Sequence, residues 1–119
     1  MERRELGRFG EERAARYLRL RGYRIVEKNF SCRSGEIDLI ARRGRYIVFV
    51  EVKLRKNAEL AAAREFVTAA KQQRIRTAAS LWLSQHETAL QPRFDVIEIY
   101  APQGAEGKLT VNHIENAFE

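Results

Sequence analysis

The sequence predicts an α/β fold, a mixed sheet flanked by helices in the order α-β-β-β-α-β, with a tail after the last strand. Three observations carry this. Tyr46–Val52 is rich in β-branched and aromatic residues, and Tyr23–Asn29, Glu36–Ala41 and Phe94–Tyr100 read as further strands between turn signals. Apolar residues at helical spacing mark Gly7–Arg21 and Val67–Leu83. Short turn-forming segments separate the first three strands, and a helix separates the third from the fourth, which calls for a mixed sheet with helices packed on it.

Each element has its own signal. In the first helix Gly10, Ala14, Tyr17 and Leu18 share a stripe, and Gly22 stops the helix from the C′ position. Ser31 to Gly35 is the first turn, and Arg42-Arg43-Gly44-Arg45 is the second. Residues Lys56 to Glu65 are polar and alanine-rich, and fit either a loop or an early extension of the next helix. That helix carries Ala70, Lys71, Ile75, Ala78, Ala79 and Trp82 at helical spacing. Pro92 opens the fourth strand, Pro102 to Gly107 is a turn, and Leu109 to Ile114 is a last strand or an extended tail.

The 119 residues, 45% of them hydrophobic, suit one domain spanning 1–119. A chain of this length buries roughly two thirds of its unfolded surface without disulfide staples. Cys32 is the only cysteine, which rules out an intrachain disulfide and argues against a cysteine-based zinc site. No apolar leader follows Met1 and no run approaches a membrane span, so no membrane partner and a cytoplasmic location are expected. The net charge of +6, dominated by arginine, points toward a polyanion, although solvated helix surface gives the same sign.

The chemistry centres on Asp38, Glu51 and Lys53. Strand periodicity puts Glu51 and Lys53 on one face with Ile47, Phe49 and Arg55. Charges at the end of a buried strand are costly unless they pair, bind a metal or meet water. An acid on one strand, a tight hairpin, and Glu-x-Lys ending the next form the Asp…Glu-x-Lys pattern of metal-dependent nucleases. Two such carboxylates can hold Mg²⁺ or Mn²⁺, which prefer oxygen ligands, and Lys53 can orient a water or offset charge on phosphorus. A plain ion pair between Lys53 and Glu51 or Asp38 is the structural alternative.

Glu11 lies on the apolar side of the first helix, either as a further member of this site or as a first-turn acid favoured by the helix dipole. Glu36 shares a strand face with Asp38, as an extra ligand or an edge ion pair. Lys71, near the start of the second helix, can reach a phosphate or snorkel to solvent. Gln72, Gln73, Arg42, Arg43 and Arg55 are further candidates for phosphate contact. Asp95 is read as the partner of Arg93, His86 and His113 as surface or core-edge residues, and Trp82 and the tyrosines as core. No serine sits in a nucleophile elbow and no glycine-rich phosphate loop follows a strand, which removes serine-hydrolase, kinase and dinucleotide readings.

The segments Gly10-Glu11 with Ala15 and Tyr17-Leu18, Gly22-Tyr23-Arg24-Ile25, Asn29, Gly35 to Ile40, Phe49 to Lys53, Lys71, Arg93 to Val96 and His113 to Phe118 together resemble the YraN family of small bacterial proteins. That family is similar in fold to restriction endonucleases and archaeal Holliday junction resolvases. The resemblance implies a restriction-endonuclease-like core with Asp38, Glu51 and Lys53 in the catalytic positions and Glu11 where the resolvases carry a helix-1 glutamate. Ile37 departs from the proline of the usual Pro-Asp, and Leu54 and the Ala58-to-Arg64 segment from the more frequent threonine and Phe-Gly.

The leading expectation is a Mg²⁺- or Mn²⁺-dependent nuclease acting on DNA, on branched or damaged forms, with Asp38 and Glu51 on the metal. The alternatives are a nucleic-acid-binding module without turnover and a protein-interaction domain on a nuclease-like scaffold. A homodimer would suit two-fold branched substrates.

Overall fold

The computed structural model describes residues 3–55, 67–102 and 107–119. The segments proposed as loop or helix extension at Lys56 to Glu65, and most of the turn after Pro102, lie outside the described residues. The elements are α1 (Arg3–Leu20), β1 (Arg24–Cys32), β2 (Gly35–Arg43), β3 (Tyr46–Arg55), α2 (Ala69–Gln85), β4 (Gln91–Tyr100) and β5 (Thr110–Phe118). The strands lie side by side in chain order, β1-β2-β3-β4-β5. β3 and β4 pair parallel and the other neighbours antiparallel. The predicted α/β mixed sheet with helices against it is therefore present. Among the described residues no helix is long and apolar enough to cross a membrane.

Local chemistry explains the boundaries. α1 closes in a Schellman arrangement: the Tyr23 amide donates to the Leu18 carbonyl at 2.9 Å and the Gly22 amide to the Arg19 carbonyl at 3.1 Å. Gly22 has φ 87, the left-handed conformation that this cap demands. Thr68 caps α2, its hydroxyl accepting the Lys71 amide at 3.2 Å. The expected tail is a full strand, β5, running past Ile114 to Phe118.

Each face of the sheet carries a core. Ala14, Ala15 and Leu18 of α1 pack on Leu39, Ala41, Val48, Val50, Ile97 and Ile99. On the other face Ile75, Ala78, Ala79 and Trp82 of α2 pack on Ile37, Ile40, Ile47, Phe49 and Val96. Ala70, expected on the buried stripe, is exposed, because α2 has barely begun there. β3 feeds both cores in strict alternation, Val48 and Val50 toward α1, Ile47 and Phe49 toward α2. Phe49 meets Trp82 edge-to-face at 5.8 Å, a contact worth about 0.5–1.5 kcal/mol beyond burial.

β2 does not alternate so strictly, and this shapes the site. Leu39 and Ala41 face α1, yet Ile37 faces α2. On a regular strand residues two apart share a face. β1 changes sides at the same level: Lys28 reaches Glu12 on α1, while Phe30 packs into the α2 core. Between them Asn29 has φ 54, a left-handed backbone that asparagine tolerates better than most residues. Asn29 stands in register opposite Asp38, since Lys28 pairs with Leu39 and Phe30 with Ile37. The β1–β2 hairpin thus swivels at Asn29/Asp38. Its outer end leaves β3, whose pairing with β2 extends only from Arg43↔Tyr46 to Leu39↔Val50.

The swivelled end is pressed against α2. A Cβ added at Gly35 would lie 3.1 Å from both the Cβ and the carbonyl oxygen of Arg74. Gly35→Ala is expected to cost about 1–3 kcal/mol, the usual range for an overfilled contact. Urea unfolding measures it, and a neutral result would show that the hairpin end shifts freely.

Candidate acidic site

The gap opened between β2 and β3 is where the sequence-predicted acids meet. Beyond Leu39↔Val50 the Val52 amide has no ladder partner on β2, and it donates instead to Asp38 Oδ2 at 2.8 Å. The carboxylate replaces a backbone acceptor, so the gap and the position of Asp38 have one cause. Glu51, 8% exposed, points to the α2 side and pairs with Lys71 Nζ at 2.7 Å. Lys71 is half-exposed at the start of α2, where its alignment with the apolar stripe suggested it. Glu51 therefore has its described ion pair with Lys71 rather than with Lys53. Lys53 follows at the half-buried end of β3 on the same alternation as Glu51.

Electrostatics marks Asp38 as the centre. Burial, first, and the neighbouring charges of Glu51, Glu11 and Glu36 push its carboxyl up from 3.8 to about 7, against the lowering effect of the Val52 amide. Glu11 is raised too, mainly by burial and further by Glu36 and Glu12, although hydrogen bonding with Asn29 and Asp38 opposes this. Glu11, Glu36 and Glu51 thus surround Asp38, with Lys71 as a described counter-charge on Glu51. Glu12 faces away, as its helical position requires, and pairs with Lys28 at 3.0 Å.

This donor set suits a sparse Mg²⁺-type site, which takes one or two carboxylates and keeps several waters. It is not a cage: among the described residues no group of three His, Cys, Asp or Glu side chains could enclose an ion. Asp38 and Glu51 are the residues able to hold such an ion. Sequence reasoning left Asn29 without a role here, although it is at once the pivot and a Glu11 partner. Its signal was available, since asparagine is depleted in strands and enriched at left-handed positions.

The other candidates are dispersed. The Gln72 side-chain amide donates to the Val67 carbonyl at 2.8 Å, and Gln73 accepts from Arg76 at 3.0 Å. Arg55 ends β3, level with Tyr100. Arg42 and Arg43 stand at the opposite end of β2, away from the acids.

A second polar cluster is structural. Asp95 is fully buried and accepts Arg93 Nε at 2.9 Å, Arg93 Nη2 at 2.8 Å and the Asn116 amide at 3.0 Å, with His113 Nε2 2.7 Å away. The Asp95–Arg93 pairing matches the sequence reading, and His113 is core-edge. This clasp ties β5 to β4 beside β3, and so fixes the strand that carries Glu51.

With this geometry in place, the comparison with known proteins is direct. Residues 10–99 match the uncharacterised protein family UPF0102. The chain belongs to that family. A UPF0102 protein of Symbiobacterium thermophilum is 47% identical over 116 residues, covering 97% of each chain. Another, from Caldanaerobacter subterraneus, is 44% identical over 99% of this chain and 98% of the relative. A third, from Caldicellulosiruptor saccharolyticus, is 40% identical over 99% of this chain and the whole of the relative. The YraN family of the sequence resemblance is UPF0102 itself. Every acid described above lies within the family match.

Proposed function

We propose that this chain is a metal-dependent nuclease hydrolysing phosphodiester bonds of DNA, with branched or damaged forms as its preferred substrates. The observation that carries the proposal is the swivel at Asn29/Asp38, which brings Asp38 beside Glu51 at an open strand gap, with Lys53 next along β3. Such an arrangement is what a restriction-endonuclease-like core would require. The charges of Glu51, Glu11 and Glu36 all bear on Asp38, which favours a cation at its carboxylate.

Mg²⁺ or Mn²⁺, when bound, supplies polarisation of a phosphate oxygen and a more acidic attacking water. Asp38 and Glu51 would bind it, and the Val52 amide would hold Asp38 in one orientation. Lys53 would orient the water or offset charge developing on phosphorus. Glu11 would complete the acid shell. Lys71, on a flexible stem, would exchange Glu51 for a phosphate oxygen as the site fills. The test is cleavage of labelled linear, single-stranded, flapped and four-way-junction DNA with Mg²⁺ or Mn²⁺. Failure to cut any form by folded, metal-loaded protein overturns the reading.

One observation favours a second reading, a nucleic-acid-binding module without turnover: Lys71 already neutralises Glu51 at 2.7 Å. That reading expects salt-dependent binding that survives Asp38→Asn and Glu51→Gln, with no cutting by any variant.

A further inference from the structure

The end of the sheet opposite the acids carries a surface that the proposed chemistry does not use. There, three guanidinium groups lie on three tyrosine rings. Arg21 sits 4.8 Å from the Tyr17 centroid, Arg43 5.1 Å from Tyr23, and Arg45 5.3 Å from Tyr46. Beneath them Arg93 donates to the Tyr23 hydroxyl at 2.7 Å and lies 4.8 Å from the Tyr46 ring. Tyr23 and Tyr46 are thereby fixed from below, and Tyr17 meets the His113 ring edge-on at 5.5 Å.

Arg93 spends its charge on Asp95 at 2.8 Å, with Glu115 more distant at 4.0 Å. Among the described residues Arg21, Arg43 and Arg45 have no carboxylate partner. A guanidinium set over a ring keeps in-plane N–H groups for the fork that fits a phosphate; Arg45 gives one of its own, from Nη2, to the Tyr46 hydroxyl at 3.2 Å and retains the others. A helix C-terminus explains a cation at Arg21 alone; it does not explain Arg43 and Arg45 in a hairpin turn. On the reverse of the same end Arg24 stands directly opposite Arg42 on the paired strand, a like-charge pair that costs stability unless an anion shares it.

We propose that Arg21, Arg43 and Arg45 on their tyrosine platform bind the phosphodiester backbone of a nucleic-acid strand at a second contact, apart from the acids. Arg43 is five residues along β2 from Asp38, about 17 Å at strand rise. Arg21, just past the end of α1, is ten residues from Glu11, about 15 Å at helix rise. One strand spans that interval in about five nucleotides at 3.4 Å each. Leu20, 81% exposed beside Arg21 and Tyr17, offers an apolar contact for a sugar or base. The inference rests on the reading of the acids as a nuclease site only for the direction of the strand.

The test measures anisotropy of labelled single- and double-stranded oligonucleotides in chelator, where nothing can be cut. The triple variant Arg21→Ala, Arg43→Ala, Arg45→Ala is compared with one lacking equal charge elsewhere, Lys28→Ala, Arg74→Ala, Arg76→Ala, with both folds checked by thermal melting. Expected is an affinity loss of tenfold or more in the first only, with the log K against log salt slope shallower by about 2–3 units. Equal losses in both variants, no loss in either, or no binding by wild type overturns the proposal. So does inorganic phosphate competing at constant ionic strength as strongly as the oligonucleotide, which would make this a free-phosphate site. Binding that maps to the arginines without cleavage of any DNA retains this surface and removes the nuclease. Cleavage that the triple variant performs as well as wild type does the reverse.

Discussion

Asp38→Asn is expected to slow DNA cleavage severely while making the metal-free protein more stable at pH 8. The loss of rate should reach roughly 10²–10³-fold, the range for removing one group that stabilises transition-state charge, and Lys53→Ala should lose a similar amount. Equal cutting by both variants and wild type would place the activity outside these residues. The gain in stability follows from proton linkage. In the unfolded chain this carboxyl ionises near 3.8, whereas in the folded protein burial and the neighbouring acids hold its proton to about 7. Between those values the folded state binds more protons, so its stability falls as pH rises through the window. Asparagine has no proton to lose, and its carbonyl can still accept the Val52 amide. At about 1.4 kcal/mol per pKa unit the gain is capped near 4 kcal/mol, with a value on the order of 2 kcal/mol expected. Wild type and variant should coincide near pH 4 and separate by pH 8 in urea titrations. Adding Mn²⁺ should narrow the difference, because the cation stabilises only the state that binds it. Parallel curves at both pH values would mean that neither burial nor the neighbouring acids raise the Asp38 carboxyl.

Asp95→Ala is expected to cost about 3–5 kcal/mol, the range for removing one partner of a buried ion pair. Its carboxylate is fully buried and gathers Arg93, His113 and the Asn116 amide. Burial alone would raise its pKa; the bonds from His113, Arg93 and Asn116 outweigh that and lower it below 3.8. A depressed carboxylate contributes stability present above the unfolded pKa and lost as pH falls through the folded one. Acid unfolding should therefore draw on Asp95 below pH 4, and the alanine variant should lose that component. The melting temperature should fall by about 10–20 °C, with Asp95→Asn less affected. A loss under 1 kcal/mol would show that β5 is held by its ladder alone.

The fold was legible wherever one residue class dominates a segment. Tyr46 to Val52 is apolar on both alternations because it feeds two cores, and it could hardly be anything but a central strand. β5 was harder to read: Thr110, Asn112, Glu115 and Asn116 are exposed on an edge, so no apolar pattern extends past Ile114. The acids were legible as a spacing, because strand parity is a local rule. Their partners were not, since Lys71 meets Glu51 through the packing of α2, and His113 reaches Asp95 from another strand. Asn29 was named in the family resemblance without a role, although a single left-handed residue turns two strands over.

Irregularity at the outer strands has a consequence for how copies of the chain behave together. β1 slips register between Ile25 and Glu27 and turns left-handed at Asn29; the β4–β5 pairing slips between Phe94 and Val96, with Asn116 at φ 50. An open sheet of this kind would otherwise offer two rows of unpaired amides and carbonyls as templates for further strands. A bulged, kinked edge cannot zip against a flat one, and the exposed Arg24 on β1 adds repulsion between like copies. The distortion that opens the gap at Asp38 therefore also caps the growth of the sheet, and guards a crowded solution against edge-to-edge aggregation.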